Sequence, residues 1–448
     1  MLLDFINLKN GSGAMYYRLY SQINTAVENG SIKKGERLPS IREASAQLNI
    51  SRTTVENAYI KLCIEGVAES YPQRGYFICG AAKKTEKTAE MPKSENNFLY
   101  DFSGRSIDSA AADISFWKKT VREVLRNTDE LISYGDPQGE SGLRTALAAY
   151  SYKARGVRTN PENIIIGAGI GPLLNILCGL IGRDNKVGLE NGGFEQARLI
   201  FSDYGISSFT LPSDKNGATA EELEKSEANI LMLLPSALSK ISVTGLSARR
   251  SAFVKWVEEE KSRLIIEDDY NGELRYTARS VTAFQGKCPE STVYIGSFSK
   301  LLLPSVRIAY MVLPDRLVPK FNERRGIYNQ TCGKTEQIAL KNYIETGELE
   351  KHLRRLRKLY YAKSQYLSRA VKEIIPSSEI TLYESSITAE LDLNIEAESA
   401  DICAAAAKNG LKLLPAREKG RVRLCFAGIA ESDIPPAVKL LHTISLSL

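Results

Sequence analysis

Residues 296–310 read Gly-Ser-Phe-Ser-Lys-Leu-Leu-Leu-Pro-Ser-Val-Arg-Ile-Ala-Tyr. The run Thr292–Ile295 leads into this stretch and Ile308–Leu313 leads out of it, both apolar, aromatic or β-branched and closed by Gly296 and Pro314. Short runs of that kind mark strands buried on both faces. The polar side chains Ser297, Ser299, Lys300 and Arg307 fall between the two runs, at the end of one strand and the start of the next. Outward from here the pattern repeats in NIIIGAGIGPLLNILCGLI (163–181), KVGLE (186–190), NILMLLP (229–235) and RLIIEDDY (263–270). Apolar strands separated by helical stretches predict an α/β fold with a mostly parallel sheet, whose ligands sit beyond the carboxyl ends of the strands. The chemistry is to be read from what those ends carry.

Taken one at a time, the ends say little. Gly167-Ala168-Gly169-Ile170-Gly171 follows a strand and opens a helix, as a phosphate cradle does. A tight turn also explains Gly-x-Gly, and neither GxGxxG nor a Walker lysine is present. Asp268 and Tyr270 beyond a strand are also what a solvated loop contains, and Lys300 alone could be a surface lysine. Together they describe one chemistry. Pyridoxal 5′-phosphate needs a lysine for its Schiff base, a carboxylate to keep its ring nitrogen protonated, and donors for its phosphate. Lys300 can supply the first and Asp268 the second. The amides of Gly169 and Ile170, the hydroxyls of Ser297 and Ser299, and the planar fork of Arg307 can supply the third. Tyr270 can donate to the ring hydroxyl. Phe194, after Glu190-Asn191-Gly192-Gly193, is either the flat apolar cover of the ring or a core residue.

The first 80 residues follow another pattern. Tyr16, Leu19, Ile23 and Val27 form one face of a helix that stops at Gly30. Ser40 with Glu43 three residues on is a capping box for a second helix. Asn49 can take a left-handed turn, and Ser51 can cap a third helix, SRTTVENAYIKLCIEG (51–66). In it Val55, Ala58, Tyr59, Leu62 and Cys63 make a buried stripe, leaving Arg52, Thr53, Glu56 and Asn57 outward. Val67–Ser70 and Tyr76–Cys79 then flank a tight turn, Pro72-Gln73-Arg74-Gly75. This order fits a helix-turn-helix whose last helix enters the major groove of double-stranded DNA. Arg52 can read a guanine edge or clamp a phosphate, and Ser51, Thr53 and Thr54 can donate to phosphates. Arg74 can reach the adjacent backbone or minor groove. A plain three-helix domain with a solvated charged face is the alternative the pattern leaves open.

Between these regions, AAKKTEKTAEMPKSENN (81–97) has almost nothing apolar to bury and reads as a flexible linker. The expected organisation is a multidomain chain. Residues 1–80 form an all-α winged helix-turn-helix with a β-hairpin wing, 81–97 a linker, and 98–448 the α/β domain. The larger part of the last is expected at about 145–325, and a smaller α+β part at about 98–144 plus 326–448. Across 448 residues, 59 Lys+Arg stand against 53 Asp+Glu, a net charge of +6. DNA binding must therefore come from a local site, not from a generally basic surface. Seven scattered cysteines without a CxxC pair, and two histidines, His352 and His442, offer no metal cluster and suit a reducing cytoplasm. The N-terminus lacks a signal peptide's basic start. The apolar stretch Ile164–Gly182 is broken by glycines and Pro172, so no membrane partner is expected.

LPSIREASAQLNISRTTVENAYIKLCIEGVAESYPQRGYFI (38–78) resembles the winged helix-turn-helix of GntR-type transcription regulators nearly end to end. That resemblance implies DNA contacts from Arg42, Ser51, Arg52, Thr53, Thr54, Arg74 and Gly75, while Glu56 stands where some relatives carry a base. Residues 98–448 are similar to fold-type-I aminotransferases through IIEDDYNGELRY (265–276), GSFSKLLLPSVRIAYMVLP (296–314) and RVRLCFAG (421–428). In that group the late arginine binds a substrate carboxylate, which points to Arg423, with Arg421 as the fallback. Tyr134 in ISYGDPQGESGLR (132–144) resembles the tyrosine that reaches across a homodimer to the other subunit's phosphate. The fusion of the two parts resembles the MocR-type regulators. One segment departs: where such sequences read PSHQFPTG, this chain has Pro235-Ser236-Ala237-Leu238-Ser239-Lys240-Ile241-Ser242, and Gly192 stands where Pro is usual. The function so implied is a cytoplasmic transcription regulator that senses an amino-acid-like or amine effector through a pyridoxal phosphate aldimine on Lys300. Two other readings stay open: a working aminotransferase with a DNA-binding head, and a regulator whose transferase-like domain has lost the cofactor. Sensing is expected over turnover, with weak transaminase side activity left open.

Overall fold

The computed structural model describes residues 3, 5–8, 14–80, 98–190, 195–214, 217–234, 243–275, 282–382 and 387–448. The linker at 81–97, Phe194 with the glycines before it, and the departing segment around Ala237–Ser242 lie outside the described residues. The chain separates into two compact units, Met1–Asn96 and Asn97–Leu448.

In the first unit, α1 (Met15–Glu28), α2 (Ile41–Leu48) and α3 (Arg52–Ile64) precede an antiparallel hairpin of β1 (Ala68–Tyr71) and β2 (Gly75–Ile78). Local bonds set the joint between α2 and α3. The Ser40 hydroxyl accepts from the Glu43 amide at 3.2 Å, and the Glu43 carboxylate accepts from the Ser40 amide at 2.9 Å, which satisfies two otherwise orphaned donors. Asn49 ends α2 at φ 54° and ψ 48°, and Ser51 then caps α3 by accepting from the Thr54 amide at 3.1 Å. Leu19, Ile23 and Val27 of α1 pack with Leu38, Ala44, Val55, Ala58, Tyr59, Leu62 and Ile78. Tyr16, read as part of the buried face of α1, is instead exposed. Tyr20, one turn on, takes that place and donates its hydroxyl to Glu65. Cys63 is only half-buried.

The second unit is built on a seven-stranded sheet. Its strands are β3 (Ile164–Gly167), β4 (Lys186–Leu189), β5 (Ser207–Thr210), β6 (Ile230–Leu233), β7 (Leu264–Asp268), β8 (Thr292–Ser297) and β9 (Ala309–Val312). In space they run β3-β9-β8-β7-β6-β4-β5, and every neighbouring pair is parallel except the two that β9 makes. Alternation along each strand divides the core, as a two-residue repeat must. Ile165, Met232, Ile266, Ile295 and Met311 face α5 (Ile170–Ile181). Ile164, Ile166, Tyr294, Tyr310 and Val312 face the other way, into the layer that includes α4 (Ser141–Arg155) and α7 (Lys334–Glu345). Leu231, Leu233 and Ile265 meet Phe253, Trp256 and Val257 of α6 (Val243–Glu259). Each such side chain contributes about 1.5–3 kcal/mol by leaving water.

A second, antiparallel sheet follows. It comprises β10 (Glu379–Leu382), β11 (Thr388–Asp392), β12 (Leu414–Pro415) and β13 (Arg421–Cys425), in the order β10-β11-β13-β12. Ala389, Leu391, Val422 and Leu424 pack it against the long helix α8 (Glu348–Ile374) and against α9 (Ile434–Ser445). Among the described residues no helix is long and apolar enough to cross a membrane; the apolar stretch at 164–182 is β3 followed by α5.

Candidate functional site

The ends of β3, β7 and β8 lie on one edge of the sheet, because those strands run in one direction. β9 runs the other way and so begins at that edge, with Ala309 opposite both Ser297 and Gly167. Arg307, just before β9, is thereby returned to the glycine turn after β3. Its backbone is left-handed, at φ 53° and ψ 40°, a conformation that costs a non-glycine residue about 1 kcal/mol or more. Gly169 sits at φ +92°, a backbone that favours glycine, and a Cβ there would stand 2.5 Å from Arg307 Nη2, which places the guanidinium beside the start of α5. Arg307 Nη1 donates to Ser299 Oγ at 3.4 Å, and the Ser299 amide donates to Ser297 Oγ at 3.3 Å. The amides of Ile170 and Gly171 at the start of α5, two serines and a guanidinium thus gather, with no carboxylate paired to Arg307 among the described residues. That is an anion cradle.

Asp268 ends β7 and is buried. Among the described residues no cation or hydrogen-bond donor reaches its carboxylate, and burial followed by repulsion from Asp269 pushes it up to about 7. A buried carboxylate lacking a cation is costly, and a protonated ring nitrogen is the partner that would relieve it. Beside it the Tyr270 hydroxyl is raised by burial, then by Asp268 and Cys425, with Arg423 opposing. Lys300 Nζ donates to the carbonyl of Gly104. Gly104, at φ +72°, packs so closely that a Cβ there would meet Cys425 Sγ at 2.6 Å and Lys300 Nζ at 3.6 Å. The donor set fits pyridoxal phosphate: a lysine, a cation-seeking acid and an anion cradle share one sheet edge.

On β13, Arg423 donates through Nε to the Pro415 carbonyl at 2.8 Å and makes no ion pair among the described residues. Arg421, the fallback for a carboxylate site, is held by Glu418 at 2.5 Å, Asp392 at 2.9 Å and Glu390 at 3.3 Å. Three acids already satisfy it, so it is set aside. Tyr134 is fully exposed. Two features escaped the sequence reading. Gly104 carries no signal in Phe102-Ser103-Gly104-Arg105. The buried pair of Arg155 Nε and Asp269 Oδ2, at 2.5 Å, joins the end of α4 to the turn after β7, where Tyr294 also donates to Asp269 at 3.2 Å.

In the first unit Arg42, Ser51, Arg52, Thr53 and Arg74 are exposed. The Ser51 and Thr54 hydroxyls lie 2.7 Å apart and occupy each other. Gly75 sits at φ +96°, a left-handed backbone at the start of β2 that favours glycine, so the wing's own turn accounts for it.

Residues 15–78 match the family "Bacterial regulatory proteins, gntR family", and residues 97–441 match "Aminotransferase class I and II". The chain is 35% identical over 444 residues to the HTH-type transcriptional regulator YdeL of Bacillus subtilis, covering 95% of this chain and 96% of that one. It is 30% identical over 348 residues to the HTH-type pyridoxine biosynthesis transcriptional regulator PdxR of Corynebacterium glutamicum, covering 77% and 76%. With the probable rhizopine catabolism regulatory protein MocR of Rhizobium meliloti it shares 27% identity over 77% of this chain and 75% of that one. The chain belongs to the MocR-type regulators. Among solved structures, the kynurenine aminotransferase of Pyrococcus horikoshii has the same fold, with a TM-score of 0.69 at 21% identity over 79% of this chain and 91% of that one. An archaeal alanine:glyoxylate aminotransferase gives 0.70 at 21% over 78% and 91%. This MocR-type regulator is a DNA-binding transcription regulator whose second domain has the aminotransferase fold and binds pyridoxal 5′-phosphate.

Proposed function

We propose that this MocR-type regulator senses an amino-acid-like or amine effector through pyridoxal phosphate held at Lys300, and that the effector changes how its winged helices hold an operator. One observation carries the reading: the buried carboxylate of Asp268, which meets no cation among the described residues, shares a sheet edge with Lys300 and the Arg307 cradle. When bound, the cofactor supplies an electrophilic carbon that takes either Lys300 or the amine of an effector. The rest falls to the chain. Asp268 keeps the ring nitrogen charged. Gly169, Ile170, Ser297, Ser299 and Arg307 hold the phosphate, joined by Tyr134 from the other subunit of a homodimer. Tyr270, raised and therefore protonated near neutrality, donates a hydrogen bond. Arg423 takes an effector carboxylate, and the Gly104 carbonyl receives the ammonium of a displaced Lys300. Arg42, Arg52, Thr53 and Arg74, with the capped start of α3, contact the operator.

An effector shifts a regulator only by binding its two states unequally. The test is a titration of the purified, cofactor-loaded chain with amino acids and amines, following the visible absorption band and operator binding in parallel. A subset of amines should move the band, and operator affinity should change with the same midpoint. If operator affinity responds only to compounds without an amine, the reading fails. Sustained turnover with a keto acid would make the domain an enzyme instead.

A further inference from the structure

We propose that Glu56 selects a cytosine in the operator and that it does so at the expense of general DNA affinity. The inference rests on the helix-turn-helix binding DNA through α3. Successive helical residues advance about 1.5 Å and 100°, which puts Glu56 about 6 Å beyond Arg52 and about 40° around the axis from it, between the directions of Arg52 and Thr53. Val55, Ala58, Tyr59 and Leu62 form the buried arc, whose centre lies about 110° around the axis from Glu56. Glu56 is exposed, and no hydrogen bond or ion pair engages it among the described residues. The nearby lysine on the helix, Lys61, is taken by Glu65 at 2.6 Å. Glu56 also lies beyond the first turn of α3, outside the reach within which an acid stabilises a helix start. The domain's own stability gives it no task.

Against DNA the chemistry of a carboxylate is narrow. It only accepts hydrogen bonds, and phosphates repel it. In the major groove the donors are cytosine N4 and adenine N6, and adenine sets the acceptor N7 beside its donor while cytosine does not. Cytosine is therefore the base that Glu56 tolerates best. Over any other base, or in a non-specific register, the carboxylate is pressed toward acceptors and phosphates without a partner, a penalty that discriminates by repulsion. Arg52 and Glu56 cancel in charge on this face, so attraction must come from elsewhere on the domain, with Arg42 and Arg74 the exposed candidates.

The experiment is selection of binding sites from random double-stranded DNA by the full-length chain, for wild type, Glu56→Ala and Glu56→Gln, with affinity for non-operator DNA measured alongside. Wild type should hold cytosine at one position of each half-site by about tenfold or more. Glu56→Ala should lose preference at that position alone and bind non-operator DNA several-fold more tightly. Glu56→Gln should shift the preference there to adenine, which an amide matches at N6 and N7. An Ala variant that selects the wild-type sequence overturns the proposal, as does one that loses preference at every position together with a lower melting temperature. A wild type that selects no sequence overturns the DNA-reading face as a whole, and Glu56 with it.

Discussion

Burial and the neighbouring Asp269 raise the Asp268 carboxyl from 3.8 to about 7. An acid raised on folding holds its proton more tightly in the folded chain. Its contribution to stability is therefore complete below about pH 4 and is lost as the pH climbs through about 7, a change of a few kcal/mol. The cofactor-free protein should thus lose stability between those limits. Asp268→Asn should remove part of that loss, leaving the shares of Glu190, Glu267 and Glu273, which burial also raises. Saturating pyridoxal phosphate should reduce it as well, by placing a cation against the carboxylate. Thermal unfolding across this pH range, with and without cofactor, measures all three, and an Asn variant with the wild-type slope would contradict the assignment. Gly169→Ala acts on the other half of the cleft. Its methyl would stand 2.5 Å from Arg307 Nη2, on a backbone at φ +92°. Cofactor affinity, titrated by absorbance, should fall tenfold or more while the circular dichroism of the sheet is kept.

The element that makes the sharpest separation between folding and binding is α3. Ser51→Ala removes the cap on the Thr54 amide and should cost about 1 kcal/mol, seen as a lower melting temperature of the winged helix. Ser51→Asp should restore the cap yet weaken DNA binding, because the new charge faces phosphates. Arg52→Ala should leave melting unchanged and cost about 1–3 kcal/mol in operator affinity. The bonds that build this element span three to five residues, which is why Ser40, Glu43, Asn49 and Ser51 were legible as caps and a turn from the sequence. The strand ends bearing Asp268 and Lys300 were legible for a related reason, since apolar runs and their polar stops are also local. Distant partners were not. Lys300 meets Gly104 across 196 residues and Arg155 meets Asp269 across 114, and no local pattern encodes either encounter. The direction of β9 was equally hidden, because a strand buried on both faces has the same composition whichever way it runs. The exchange of Tyr16 for Tyr20 has a smaller cause: Tyr16 falls within the apolar arc but in the first turn of α1, whereas Tyr20, a turn further on, reaches Glu65 at the end of α3.

Across the whole molecule the cores are separate in sequence. One draws only on residues 3–78, and the others begin at Phe102. Damage should follow that division. Arg52→Ala should keep the cofactor's visible band, and Lys300→Ala should lose both the band and the effector response while basal operator binding survives. Absorbance and operator binding with and without effector decide it, and a Lys300→Ala chain that retains band and response would show the lysine to be uninvolved. The same division orders events in time. Among the described residues the core of the winged helix draws on none beyond Ile78, whereas β3 needs β9, made about 140 residues later, and Tyr100 pairs with Leu411. At about 5–20 residues per second, the ribosome completes the head roughly 17–66 s before it makes Leu411, the partner of Tyr100. During that interval each nascent chain carries a finished DNA reader with nothing to govern it. A message cut short in its second half should therefore leave more than a missing protein: it should leave a head that still finds DNA without the domain it is made with.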